Sequence, residues 1–195
     1  MQKPYGRKLY SLPEFYRIIY LAMRTYKYTA RAKKDGSLNA KLIERVMLAV
    51  TEVNQCPLCS YGHTRMALAT GMSHEEIQNL LSHSLDSVPD GELEAILFAQ
   101  HYADSRAQPS TEAWRRVADL YGEAKARGIL GAVRMITFGN TYGIVLSSIK
   151  GRLSGKPDPR SGVLYEIAML LAIVPFPPIA LVHALISDLL GRPVI

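Results

Sequence analysis

Cys56 and Cys59 are the only cysteines among 195 residues, and they stand three apart as C-x-x-C. Two cysteines are too few for a secreted disulfide scaffold, and in a reducing compartment this spacing reads as redox or metal chemistry. The Asn54-Gln55 pair before them and Pro57 between them force a turn and a helix restart, since Pro is favoured in a helix's first turn. Side chains at i and i+3 on a helix lie about 5–6 Å apart at Cβ. That is close enough for a disulfide after modest adjustment. A helix N-terminus also stabilises a thiolate through its dipole and free N–H groups, which lowers the pKa of a nearby thiol. The spacing predicts a reactive pair.

His63 follows Cys59 by four residues, one turn along the same helix face, where it could exchange a proton with that sulfur directly or through a water. Cys56 is further from it. Glu44 stands ten residues before Asn54, and His63 nine after it. With a rise of about 1.5 Å per residue in both arms, an antiparallel hairpin brings Glu44 and His63 level. Glu44 can then orient His63 and hold its proton, a relay from Glu44 through His63 to Cys59. Glu52, one turn before Cys56, is an alternative carboxylate and reads as a solvated surface residue. His74, His83, His101 and His183 have no such partners and read as structural or solvent-facing.

The pattern Glu44-x11-Cys56-x2-Cys59-x3-His63, followed by Ala67, Gly71 and Glu75-Glu76-Ile77, resembles the alkylhydroperoxidase D branch of the carboxymuconolactone decarboxylase-like family. The resemblance runs over about residues 38–149 and is densest between Glu44 and Leu81. It implies an all-α fold, assembly into homotrimers or homohexamers, and thiol-dependent reduction of organic hydroperoxides. By position it makes Cys59 the peroxidatic thiol and Cys56 the resolving one, with Glu44 and His63 as the relay. The reductant it implies is a dithiol, a lipoyl group or a thioredoxin-like protein, and no other cofactor is called for. The chain departs from the pattern at Pro57-Leu58, where alkylhydroperoxidases often have His, so a polar group beside Cys56 is missing. Decarboxylases of the superfamily generally lack the cysteine pair, which counts against lactone decarboxylation here.

Two bland readings stand beside this one. The cysteines could be inert and buried between helices. They could also join His63 and Glu44 around a structural zinc, although no second cysteine pair is present to complete the usual ligand set. Either would make the chain a non-catalytic oligomeric or membrane-associated module.

Gly and Pro fall mostly between long segments of helical period, and no stretch alternates as a strand does, so the chain reads as all-α. Helices are expected over about 12–33, 38–52 and 57–70, then from a capping box at Ser73-His74-Glu75-Glu76, from Pro89-Asp90 with Leu93, Ile96, Leu97, Ala99 and Tyr102 buried, from Ser110 with Trp114 in the core, and over 123–150. One domain covers 1–195: a core of 38–150, a basic N-terminal arm of 1–37 and a C-terminal extension of 151–195 that follows a Gly/Pro-rich break. Residues 167–187 carry no formal charge, long enough to cross a bilayer. Pro175, Pro177 and Pro178 at their centre would leave backbone groups unpaired in hydrocarbon, which favours two short helices packed on the body or across a subunit interface.

The net charge of +6 invites an anionic partner, but it is unevenly placed. Nine Lys/Arg against Glu14 alone give the first 34 residues +8, leaving −2 for the rest. Such a segment reads as a solvated or subunit-facing arm, with peripheral contact to an anionic membrane as the functional alternative. No nucleic-acid motif accompanies it. The longest early apolar run, residues 18–23, is too short for a secretion signal, which with the cysteine usage gives a cytoplasmic expectation.

Overall fold

A computed structural model describes residues 9–195. The basic residues Lys3, Arg7 and Lys8 of the expected arm lie outside the described residues. All regular structure among the described residues is helical: α1 (Leu12–Lys34), α2 (Ala40–Asn54), α3 (Pro57–Ala69), α4 (His74–Leu81), α5 (Leu93–Asp104), α6 (Thr111–Tyr121), α7 (Glu123–Leu153), α8 (Val163–Ala172) and α9 (Phe176–Leu189).

Local chemistry explains the boundaries. Ser11 and Glu14 close a reciprocal capping box at the start of α1, and Asn39 accepts the Leu42 N–H at the start of α2. At α4 only half of the expected box forms. Ser73 accepts the Glu76 N–H, whereas the Glu76 carboxylate is drawn away to the buried Arg45, which also binds Glu92 at 2.6 Å. A buried guanidinium must be paired, and that demand outweighs a surface cap.

The main core lies where α2, α5 and α7 meet, filled by Leu42, Val46, Leu48, Ile96, Phe98, Ile129 and Val133 among others. Leu97, expected inside, is 38% exposed, and Trp114 is only half-buried against Phe98.

Helix α1 keeps Arg17, Lys27, Arg31, Lys33 and Lys34 exposed but is not a detached arm. It packs along α7, and Gly131 permits the approach, since a Cβ there would come within 2.2 Å of Thr29 Oγ1 and 2.7 Å of the Thr25 carbonyl. Its Arg24 is buried, donating to Asp188 at 2.9 Å and to the Pro193 carbonyl at 2.8 Å.

The extension forms two helices bent by 52° at the prolines, as the sequence suggests. They pack on the body through a second core of Phe15, Ile19, Val145, Met169, Ala172 and Ala180. Tyr20 donates to Ser187 at 3.0 Å, and Lys27 joins Arg24 on Asp188. Their outer face is strongly apolar: Leu164, Leu171, Leu185 and Leu189 are 84%, 63%, 55% and 87% exposed. Helix α7 is also long and apolar enough to cross a membrane, but 72% of its apolar window is buried against the other helices.

Candidate functional site at the start of α3

The turn between α2 and α3 creates the site. Gln55 takes a left-handed conformation (φ 52°, ψ 45°), which reverses the chain and leaves Cys56 at the N-cap of α3. The Cys56 sulfur accepts the Cys59 N–H at 3.3 Å, satisfying one of the free donors of the helix start. Cys56 and Cys59 form a disulfide with their Cα atoms 5.3 Å apart. Cys56 is fully buried and Cys59 half-buried, so the second sulfur is the more accessible.

Helix α7 forms the floor. Gly143 lies against the disulfide, where a Cβ would sit 2.7 Å from both sulfurs. The Gly139 carbonyl approaches Cys59 Sγ at 3.6 Å.

The hairpin of α2 and α3 brings Glu44 and His63 together as their spacing predicts. Glu44 Oε2 lies 2.9 Å from His63 Nδ1, and both side chains are largely buried, at 12% and 14% exposure. Nδ1 bound to a carboxylate leaves Nε2 as the nitrogen free to exchange a proton. Among the described residues His63 makes no hydrogen bond to either sulfur; it stands one turn along α3 from Cys59.

Residues 19–101 match the model of the Carboxymuconolactone decarboxylase family. The match covers less than half of the chain and is a likeness of that segment to the family. No curated protein and no solved structure matches the chain. The family includes decarboxylases and alkylhydroperoxidases. The matched segment begins inside α1 and ends inside α5, so it takes in part of the helix that the sequence pattern left outside. It contains Glu44, Cys56, Cys59 and His63, while the α7 floor at Gly139 and Gly143 lies beyond it.

Glu52 and His83 depart from their sequence reading, whereas His101 and His183 keep theirs. Glu52 is not a solvated carboxylate: it is 6% exposed, and its Oε1 lies 2.5 Å from His83 Nε2. Nothing in the local sequence signals this, because His83 is 31 positions away and reaches Glu52 through a positive φ of 66° that non-glycine residues rarely adopt. His101 Nε2 accepts the Ser110 N–H at 3.0 Å, and His183 pairs with Tyr16 OH at 3.1 Å while stacking on Tyr20, both structural roles. Among the described residues no group of three or more His, Cys, Asp or Glu is arranged to hold a metal.

Proposed function

We propose that the protein is a thiol-dependent peroxidase of the alkylhydroperoxidase type that reduces organic hydroperoxides through a Cys56/Cys59 dithiol–disulfide cycle. The observation that carries this reading is the Cys56–Cys59 pair at a helix N-terminus with a carboxylate-bound histidine one turn further on.

Each step follows from the placement of the groups. The Cys59 thiolate attacks the terminal oxygen of the hydroperoxide, and the O–O bond breaks with its electron pair leaving on the alkoxide. His63, held by Glu44, gives that alkoxide a proton and releases the alcohol. Cys56 then attacks the Cys59 sulfenic acid. The S–S bond forms, the S–O bond breaks, and the departing hydroxide takes a proton from solvent, by way of His63 once it is reprotonated, and leaves as water. An external dithiol of the lipoyl or thioredoxin type reduces the disulfide by thiol–disulfide exchange.

The exposed apolar face of α8 and α9 supports self-association, in line with the homotrimers or homohexamers that the family resemblance implies, because large apolar patches on soluble proteins mark contact surfaces. Cytoplasmic residence fits a cycle that needs a reducing donor.

Dithiothreitol-driven consumption of cumene hydroperoxide tests the reading. Wild type is expected to turn over and Cys59→Ser to be inactive; equal rates would overturn it.

A further inference from the structure

The Glu44–His63 pair stands on the Cys59 side of the disulfide, and a second carboxylate–imidazole pair stands on the other. Glu52, Cys56 and His83 line one cavity of about 550 Å³ between α2, α3 and the end of α4, a cavity that neither Cys59 nor His63 lines. Glu52 is buried and meets His83 at 2.5 Å, whereas the His83 ring is 62% exposed to solvent. They are the titratable groups of that wall besides Cys56. The polar side chains that α2, α3 and α4 add, Thr51, Gln55, Ser60, Thr64 and Gln78, are neutral.

The cycle needs a proton path here. Cys56 must lose a proton to attack the Cys59 sulfenic acid, yet it is fully buried, so that proton cannot pass directly to bulk solvent. His63 cannot serve it easily: it lies seven residues along the chain, on the Cys59 face, and has just protonated the leaving alkoxide. The sequence offers no polar group between the cysteines, where Pro57 and Leu58 stand.

We propose that Glu52 and His83 are a second proton-handling pair, dedicated to Cys56, that passes its proton between the buried thiol and solvent through this cavity. In disulfide formation the Cys56 proton leaves by way of Glu52 to His83, the sulfur's electron pair attacks Cys59 Sγ, and the S–O bond breaks. In reduction an external dithiol's thiolate attacks the accessible Cys59 Sγ. The S–S bond then breaks with its electrons on Cys56, and His83 returns the proton; the donor's second thiolate attacks its own sulfur in the mixed disulfide, closing the donor's disulfide and releasing Cys59 as the thiolate. Two separate pairs thus keep the protons of the two sulfurs apart. The inference rests on the cysteines cycling as proposed above, but it does not require that a hydroperoxide be the oxidant.

The reductive step provides the test, because it can be followed without any peroxide. The disulfide form is reduced by dithiothreitol from pH 5.5 to 8.5 in stopped flow, for wild type, His83→Gln, Glu52→Gln and His83→Ala with added imidazole. Both single variants are expected to slow reduction at least tenfold and to change its pH profile, and imidazole is expected to restore a good part of the rate to His83→Ala. His83 is at the surface, so its variants keep their fold; far-UV circular dichroism checks them and the buried Glu52→Gln alike. A wild-type rate and pH profile in His83→Gln, or a loss in His83→Ala that imidazole leaves untouched, would overturn the proposal. If wild type fails to consume cumene hydroperoxide while reduction still depends on His83, the peroxidase reading falls and the proton path stands.

Discussion

Gly143 touches Cys59 so closely that a single added carbon would lie 2.7 Å from its sulfur, and from that of Cys56 as well. The residue that shapes the thiol site most tightly is therefore 84 positions away on α7, outside the matched family segment. Gly143→Ala is expected to push the start of α3 off α7, destabilising the fold by about 1–3 kcal/mol, as overpacking usually does. Disulfide formation should slow as well. Thermal melts of both redox states read the first effect and thiol titration over time the second; a variant with wild-type values in both would show that the contact relaxes freely.

His63→Gln keeps the size and much of the hydrogen-bonding capacity of the side chain while removing its proton transfer. Hydroperoxide turnover should fall by about 10²-fold or more, the usual contribution of general acid–base catalysis. Glu44→Gln keeps an acceptor for Nδ1 but removes the charge that supports an imidazolium, so a smaller loss is expected. Steady-state kcat/KM over pH 6 to 9 measures both, and a Glu44→Gln loss exceeding that of His63→Gln would contradict a relay in that order.

Acid should release the C-terminal helices. Burial pushes the Asp188 carboxyl upward, but hydrogen bonds and charge from Lys27 and Arg24 outweigh it and hold the group below its ordinary 3.8. The hydrogen bond from Arg152 likewise holds Glu166 below its ordinary 4.5, assisted by Ser161. A carboxyl with a depressed folded pKa contributes stability that is complete above its unfolded value and is lost as pH falls through the folded one. Docking of α8 and α9 is therefore expected to be intact at pH 6 and to weaken progressively below about pH 4. Limited proteolysis with pepsin between pH 2 and 4 should cut near residues 154–162 first, and Asp188→Asn should shift that sensitivity to higher pH.

Self-association should depend on the apolar outer face of the extension. Leu171→Glu and Leu185→Glu introduce charges at exposed positions, so they should leave helicity unchanged while lowering the mass measured by light scattering. An unchanged mass in the double variant would place any subunit contact elsewhere.

Much of the fold and part of the site are legible in the residues themselves. Caps at Ser73 and Ser110 and the prolines of the tail mark where helices start and break, because such signals act within one turn, whereas the Asn39 cap starts α2 two residues later than the apolar pattern from Leu38 suggests. The Glu44–His63 contact is legible for a related reason: two helices joined by a tight turn carry residues to equal heights by simple rise. Glu52 with His83 is not, since it depends on a left-handed His83 that no local rule anticipates. The burial of Arg24 is hidden too. A cation on a basic helix looks solvated until Asp188, 164 residues later, is folded against it.

The clasp of α8 and α9 over α1 also sets an order of events during synthesis. Phe15 and Ile19 emerge early, yet the residues that cover them, Met169, Ala172 and Ala180, emerge some 150 residues later. At the usual pace of about 5–20 residues per second, the last of that cover arrives roughly 8–30 seconds after the stripe is made. The tail that closes over this stripe is therefore the step that ends its exposure.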